Sequence, residues 1–268
     1  MIRRLFRNGR IFTPIDMGTP LAGECQGRVT YLPRGAICVR GGVIEAIGDE
    51  QEVLGRLGSR EVDEEVDCLG HCIIPGFLDC HTHMCFGKRR EEEFILRLEG
   101  ADYLDILRQG GGILSSVRAV RAASDEELLS ITREHALSAL GLGTTTLEVK
   151  SGYGLDTDSE LRMLRIIEQL RREVPQDVVA TFLGAHAVPE EFSHNPDGYV
   201  DLVIDEMIPA VAREGLARFS DVFCEQGVFD TGQSRRILEA ARRSGLGLRS
   251  TPTRFTTWEE RPWQRTSG

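Results

Sequence analysis

The pattern of hydrophobic and polar positions changes near residue 75. Before that point short apolar runs dominate, and "GAICVRGGVIEAIGDE" holds two β-branched runs separated by Gly41 and Gly42, which predicts a β-hairpin. After that point, strand-like apolar runs alternate with stretches whose apolar residues recur at helical spacing. The pattern therefore predicts a β-rich segment followed by an α/β segment.

The α/β segment begins with "IIPGFLDCHTH" and continues with "GTTTLEVKSG", "VVATFLGAH" and "FSDVFCEQG" as buried strands. Helices are predicted from about residue 157, over 199–214 and over 231–244, and "LGLR" begins another strand. Alternating strands and helices imply parallel strands with right-handed crossovers. Four βα units and the start of a fifth predict the first half of a TIM barrel, which needs eight units.

Two helix starts carry the spacing of a capping box, in which a Ser or Thr and a Glu three residues later satisfy each other's backbone amides. Ser124 and Glu127 predict the start of a helix that ends at Gly141, and Thr157 and Glu160 predict the start of the next. We expect both boxes to form.

These patterns divide the chain into three parts. Residues 1–72 are expected to form the N-terminal part of a small β-sandwich domain, and residues 73–249 the first half of the (β/α)8 barrel. The tail, residues 250–268, has no period and no caps but contains both tryptophans. Because disordered segments are usually poor in Trp, its composition suggests another origin.

Composition narrows the class of protein. The net charge of -10 argues against nucleic acid or an anionic membrane as a partner. No apolar run approaches the roughly 18 residues of a membrane span, and the N-terminus has no signal-peptide pattern. Seven cysteines without regular spacing indicate free thiols, so we expect a cytoplasmic protein.

His81 and His83 come directly after the first strand of the α/β segment. Alternation along a strand puts both imidazoles on one side, where they suit a single divalent ion. Cys80 and Cys85 flank them and are expected to be packing residues, because successive strand positions face opposite sides.

Other candidates lie where predicted strands end. His186 ends a strand, where barrels place their chemistry, but could equally be a core histidine. Tyr153 stands between two glycines and is either a loop anchor or a ligand contact. Lys150 also ends a strand, and a structural ion pair is the simpler interpretation. In "GKRREEEF", charge alone does not separate Arg89 from Arg90 as a site residue.

"PGFLDCHTH" resembles the first-strand signature of the amidohydrolase superfamily, which comprises metal-dependent hydrolases on a TIM barrel with a small β domain. "EVKSGYGL", "TFLGAHAVP", "YLDILRQGGGI" and "DLVIDEMIPAVAREGLARFSDVFCEQGVF" are similar to the imidazolonepropionase family, over residues 3–249. The resemblance implies hydrolysis of the ring of 4-imidazolone-5-propanoate to N-formimidoyl-L-glutamate in histidine degradation. It also implies one zinc or iron ion, a small-molecule substrate as partner, and a homodimer in the intact family.

The resemblance also assigns residues. His81 and His83 match the first two metal ligands, and Arg90 matches the arginine that holds the substrate propionate, a role for which a guanidinium is suited. Tyr153 matches a substrate-contacting tyrosine, and His186 matches a histidine that binds the imidazolone ring.

The family motif His-Ala-x-Glu, whose glutamate is the general acid/base, has no counterpart here, so no catalytic residue is assigned. Read one nucleotide out of frame with GC-rich codons, the tail can encode His-Ala-Asp-Glu. We therefore interpret residues 250–268 as an out-of-frame tail, and expect this chain to bind metal weakly and to be inactive. Two alternatives stay open, another amidohydrolase-type cyclic amidase or deaminase and a non-catalytic pseudogene fragment.

Overall fold

The computed structural model describes residues 1–19, 21–100, 111–225 and 227–251. The chain divides into two compact units, Met1–Gly76 and Phe77–Gly268. Most of "YLDILRQGGGI" and residues 252–268 of the tail lie outside the described residues.

The described part of the first unit contains one five-stranded mixed sheet in the order β3-β2-β1-β4, with β5 also paired to β1. The first three strands are antiparallel neighbours, whereas β4 and β5 run parallel to β1. The hairpin at Gly41 and Gly42 is confirmed, and both glycines have a positive φ, of 58° and 84°. The strands are β1 Arg3–Pro14, β2 Val29–Arg40, β3 Val43–Asp49, β4 Glu64–Asp67 and β5 Cys72–Ile73.

A short helix, α1 (Glu50–Leu57), packs on this sheet and was not predicted. Asp49 caps it by accepting a hydrogen bond from the backbone N–H of Gln51. Between β1 and β2 the chain makes one 3-10 turn at Gly23–Cys25. The apolar core shared by helix and sheet is small, namely Leu5, Ala36, Cys38, Val53 and Leu57.

The second unit holds a five-stranded sheet in the order β10-β9-β8-β7-β6, and every neighbouring pair is parallel. Each predicted strand of the α/β segment is present, so the succession of four βα units and the start of a fifth is as expected. The strands are β6 Phe77–Thr82, β7 Thr144–Lys150, β8 Asp177–Ala185, β9 Phe219–Val222 and β10 Gly247–Leu248.

Helices connect these strands. The predicted single helix over 199–214 is instead two α-helices joined by a π-helical segment, Val203–Met207, and a 3-10 turn precedes them at Glu190–Phe192. None of the helices that the structure describes combines the length and apolar character of a membrane span. The helices are α2 Glu91–Leu98, α3 Ile113–Ala122, α4 Asp125–Gly141, α5 Thr157–Glu173, α6 Pro196–Leu202, α7 Ile208–Glu214 and α8 Thr231–Arg243.

One of the two predicted capping boxes is confirmed and the other is wrong. Ser124 and Glu127 form the box at the start of α4. At the start of α5 the cap is Asp156, whose carboxylate accepts the backbone N–H of Ser159 at 2.7 Å. Asp is as good a cap as Thr, and its use shifts the register by one residue. Glu160 therefore takes no part in the cap, and its side chain points into the protein.

The core of the second unit lies between the sheet and its helices. Leu147, Val149 and Phe182 of the strands are buried against the inner faces of the helices. Tyr199 of α6 is fully buried, and its hydroxyl donates to the carbonyl of Gly184 in β8 at 2.7 Å. These contacts fix the C-terminal edge of the parallel sheet.

Candidate metal and substrate site

Four aromatic rings meet at the C-terminal edge of β6, β7 and β8. The ring centroids of His81 and His83 are 5.2 Å apart. His186 stacks on His83 at 4.7 Å with an interplanar angle of 17°. The Tyr153 ring lies 5.6 Å from His83 and 5.3 Å from His186. The structure therefore brings together four of the five side chains that the sequence assigned to the site.

The strand order explains why these rings meet. β6, β7 and β8 are parallel neighbours, so their carboxyl ends reach the same edge of the sheet. His81 lies in β6 and His83 follows it, Tyr153 follows β7, and His186 follows β8.

His186 has a defined tautomer. Its Nδ1 lies 2.9 Å from the carbonyl oxygen of Gly152, and since a carbonyl only accepts, Nδ1 carries the proton. Burial lowers the pKa of His186 to about 4, against the opposing effects of the Gly152 hydrogen bond and of Asp221. The imidazole is therefore neutral near pH 7, with an unprotonated Nε2.

A network of buried charges lies next to the rings. Lys150, 1% exposed, places its ammonium 2.7 Å from Glu148 and 2.8 Å from Asp221. Thr181 donates to Glu148 at 2.6 Å, and Thr251 donates to Asp221 at 2.8 Å. The predicted ion pair of Lys150 is confirmed.

The carboxylates of this network were not identified from the sequence. Glu148 and Lys150 are two residues apart in β7 and alternate with Leu147 and Val149, which puts the two charges on one side of the strand. That spacing was the available signal for a buried pair.

Arg90 lies at the start of α2, next to the first helical residue. Its guanidinium pairs with Glu93, with 3.6 Å between Nε and Oε2, and its side chain is 39% exposed. Arg89 is exposed beside it. The described geometry thus presents Arg90 in an ion pair at the start of α2.

The donor set suits a metal only in part. Imidazoles such as those of His81 and His83 are good ligands for zinc and iron. Catalytic zinc normally has three protein ligands, and among the described residues no group of three or more His, Cys, Asp or Glu side chains has the geometry to hold an ion.

The two cysteines beside these histidines differ. Cys85 is fully buried, as predicted for a packing residue, and burial raises the pKa of its thiol to about 12. Cys80 is exposed, so its predicted packing role is wrong. The reason is that β6 is an end strand of the described sheet, and its residues from Phe77 to His81 are exposed on both faces.

Sequence comparisons relate this chain to known proteins. No protein-family model matches the chain. The imidazolonepropionase of Syntrophobacter fumaroxidans is 68% identical over 249 residues, which is 93% of this chain and 59% of the relative. That of Desulfotalea psychrophila is 54% identical over 250 residues, which is 93% of this chain and 60% of the relative. The chain is related to the imidazolonepropionases. It spans between half and two thirds of the length of the curated relatives it matches.

Solved structures with the same fold are amidohydrolases of other specificity. Escherichia coli guanine deaminase matches with a TM-score of 0.61 and 12% identity, covering 93% of this chain and 53% of that chain. N-isopropylammelide isopropylaminohydrolase of Burkholderia multivorans matches with a TM-score of 0.58 and 18% identity, covering 93% of this chain and 53% of that chain. The amidohydrolase-type fold, present here in its first half, is thus confirmed.

One further match contains a metal. A mutant atrazine chlorohydrolase of Arthrobacter aurescens, complexed with zinc and atraton, has a TM-score of 0.55 at 15% identity, covering 92% of this chain and 52% of that chain. At that identity the likeness concerns the fold alone.

Proposed function

We propose that this chain carries the N-terminal part of the site of an enzyme that opens the ring of 4-imidazolone-5-propanoate to N-formimidoyl-L-glutamate, in histidine degradation. The observation that carries the proposal is the ring cluster of His81, His83, Tyr153 and His186, in a chain 68% identical to an imidazolonepropionase. The ligand is a small molecule, and the compartment is the cytoplasm. Nucleic acid and membrane are not among the proposed partners, and the intact enzyme is proposed to be a homodimer.

The chemistry of the rings suits a planar, polar heterocycle. The neutral Nε2 of His186 accepts a hydrogen bond from a ring N–H of the ligand, and Tyr153 offers an aromatic face and a hydroxyl. Because burial keeps His186 neutral, it neither repels a nearby cation nor takes up a proton at pH 7.

Arg90 is proposed to bind the propionate end of the ligand. A guanidinium presents two parallel N–H groups to a carboxylate, a match that Lys does not reproduce. The 3.6 Å pair with Glu93 is partly exposed and weak, so a ligand carboxylate could replace it.

His81 and His83 are proposed as two ligands of a zinc or iron ion, which when bound supplies an activated water. The described residues supply neither a complete set of metal ligands nor a general acid/base. We therefore propose that the 268-residue polypeptide binds the ligand without turning it over.

The test is calorimetric titration with imidazole-4-propanoate, an unreactive analogue, followed by an assay of 4-imidazolone-5-propanoate turnover. We expect His186→Ala and Arg90→Ala each to weaken analogue binding by about 10-fold or more, since each removes a polar ligand contact. The matched controls are His194→Ala and Arg89→Ala, which change the same residue types at exposed positions.

The outcomes separate the alternatives. Equal binding by the wild type and by both site variants would refute the proposed site. Preference for guanine or cytosine over the analogue would favour a deaminase. Turnover by the purified chain, free of any longer enzyme, would refute the proposed lack of activity.

A further inference from the structure

The loop between β7 and α5, Ser151–Leu155, is closely packed and carries Tyr153. Gly152 has φ +105°, and a Cβ there would lie 2.8 Å from the carbonyl oxygen of Leu183 and 3.1 Å from Nδ1 of His186. A Cβ on Gly154 would lie 2.6 Å from the backbone nitrogen of Glu160. The loop backbone is therefore held between β8 and the first turn of α5.

Glu160 holds this loop from inside the protein. Its two carboxylate oxygens accept the backbone N–H of Gly152 at 3.1 and 3.0 Å. One of them also accepts the N–H groups of Gly154 at 2.8 Å and Leu155 at 3.0 Å. The Ser151 side chain adds a further hydrogen bond. Glu160 is fully buried, and burial raises its pKa against the lowering effect of these donors.

Gly152 connects this carboxylate to the ring cluster. Its N–H donates to Glu160, and its carbonyl accepts the Nδ1–H of His186 at 2.9 Å. The next residue is Tyr153, whose ring packs on His186. Glu160 thus holds the peptide units on both sides of the Gly152–Tyr153 peptide, whose carbonyl sets the tautomer of His186 and which carries Tyr153.

We propose that Glu160 is a positioning residue of this site: its carboxylate orients the Ser151–Leu155 loop so that Tyr153 faces the rings and His186 presents an unprotonated Nε2 to the ligand. The identity of that ligand rests on the proposed function, whereas the positioning role rests on the contacts alone. Glu160 touches none of the reacting groups and acts through Gly152.

The test compares Glu160→Gln with Glu50→Gln. Glu50 is the matched control, a buried carboxylate of the first unit that accepts the backbone N–H of Asn8 at 2.7 Å. A glutamine at residue 160 keeps the shape but has one acceptor oxygen instead of two, and its NH₂ group faces a donor at the other position. Three properties are measured at pH 7: imidazole 15N shifts, which report the His186 tautomer, amide exchange in the loop, and the Kd for imidazole-4-propanoate.

In Glu160→Gln we expect the amides of Gly152, Gly154 and Leu155 to exchange about 10- to 100-fold faster, because hydrogen bonds to the carboxylate are lost. We also expect His186 to lose its Nδ1–H tautomer in part, and the Kd to rise about 10-fold. Glu50→Gln is expected to lower stability and leave all three properties unchanged.

A folded Glu160→Gln protein with protected loop amides and an unchanged His186 tautomer would overturn the proposal. If that variant does not fold, the same two measurements on the wild type test the proposal. Fast exchange of the three amides, or an Nε2–H tautomer of His186, would overturn it. If the analogue binds to no protein, the proposed function fails, while exchange and tautomer still decide the role of Glu160.

Discussion

His186 and Glu160 lie in environments that act on their ionisation in different ways. Both are enclosed by the same loop, but the imidazole meets one carbonyl acceptor and the carboxylate meets several donors. Burial keeps the imidazole neutral, whereas it raises the pKa of the carboxylate against the lowering effect of the donors. The chemistry of the site therefore depends on backbone groups as much as on side chains.

The depressed pKa of His186 predicts a pH-dependent stability. In the unfolded chain its pKa returns to about 6.5, so between pH 6.5 and about 4 the unfolded state binds more protons. Its contribution is complete above pH 6.5 and declines as the pH falls toward 4, by up to about 3 kcal/mol.

The measurement is urea unfolding at pH 7 and pH 4.5. His186→Gln should lose less stability between the two pH values than the wild type does, whereas His194→Gln, at an exposed position, should follow the wild type. Parallel losses in all three proteins would contradict the assigned burial of His186.

Gly152→Ala is predicted to be strongly destabilising. The residue has φ +105°, and the added Cβ would meet the Leu183 carbonyl at 2.8 Å. We expect a loss of about 2 to 4 kcal/mol from backbone strain and overpacking. Gly215→Ala is the control, with φ +63° and open space around the Cβ, and should cost about 1 kcal/mol in thermal or urea unfolding. Similar losses in both would mean that the close approach at Gly152 is absent.

The site could be predicted from the sequence only where it follows strand geometry. His81 and His83 meet because alternation requires it, and His186 joins them because parallel strands end together. The role of Glu160 could not be foreseen, since Thr157 and Asp156 are both acceptable caps and one residue decides the direction of the glutamate.

At the scale of elements, buried charges connect neighbouring strands. Lys150 and Glu148 of β7 meet Asp221 of β9, and Thr181 of β8 lies between them. Arg249, near the end of β10, reaches Glu148 at 3.5 Å. The positive and negative groups balance, which makes removal of any one costly.

Lys150→Met is therefore predicted to lower the free energy of unfolding by about 3 to 5 kcal/mol, because it leaves Glu148 and Asp221 buried without their shared cation. Urea unfolding at pH 7 checks the value. The double variant Glu148→Gln with Lys150→Met should cost less than the sum of the two single variants, since the pair is coupled.

The matched control for this network is Arg165→Met, which breaks the exposed pair of α5 with Glu214 of α7. It should cost less than about 1 kcal/mol. A loss from Lys150→Met no larger than that of Arg165→Met would show that the strand network does not contribute as argued.

Helices and strands were predictable where the hydrophobic period and the capping residues indicated the same element. The helix α4, with its capping box, and the strand β7 follow the pattern closely. The π-helical segment Val203–Met207 was not predicted, because such segments are rare and the change to i→i+5 hydrogen bonds has no residue pattern of its own. The helix α1 was missed because it is short and lies within a β-rich segment.

At the scale of the whole molecule, the fold class follows from the order of elements. Four βα units in succession place neighbouring strands parallel to each other, and the sheet order β10-β9-β8-β7-β6 is the result. The first unit was less predictable, since β4 and β5 pair with β1 across more than fifty residues. Non-local pairings of that kind leave no periodic signal in the sequence.

The end strand β6 predicts self-association of the chain. It lies at one edge of the described sheet, and its first two residues expose large apolar side chains, Phe77 at 52% and Leu78 at 72%. An open edge with exposed apolar groups is a template for pairing with another chain. We expect the apparent mass in light scattering to rise with protein concentration.

Leu78→Lys should suppress that rise, since a charge on an edge strand opposes pairing, and it should leave the thermal unfolding midpoint almost unchanged because Leu78 is exposed. Leu98→Lys is the control, because that residue is equally exposed, at 72%, and is the last residue of α2. Suppression by both variants would assign the association to general hydrophobicity. Suppression by Leu78→Lys alone would assign it to the open edge of β6, where a complete barrel would continue its sheet.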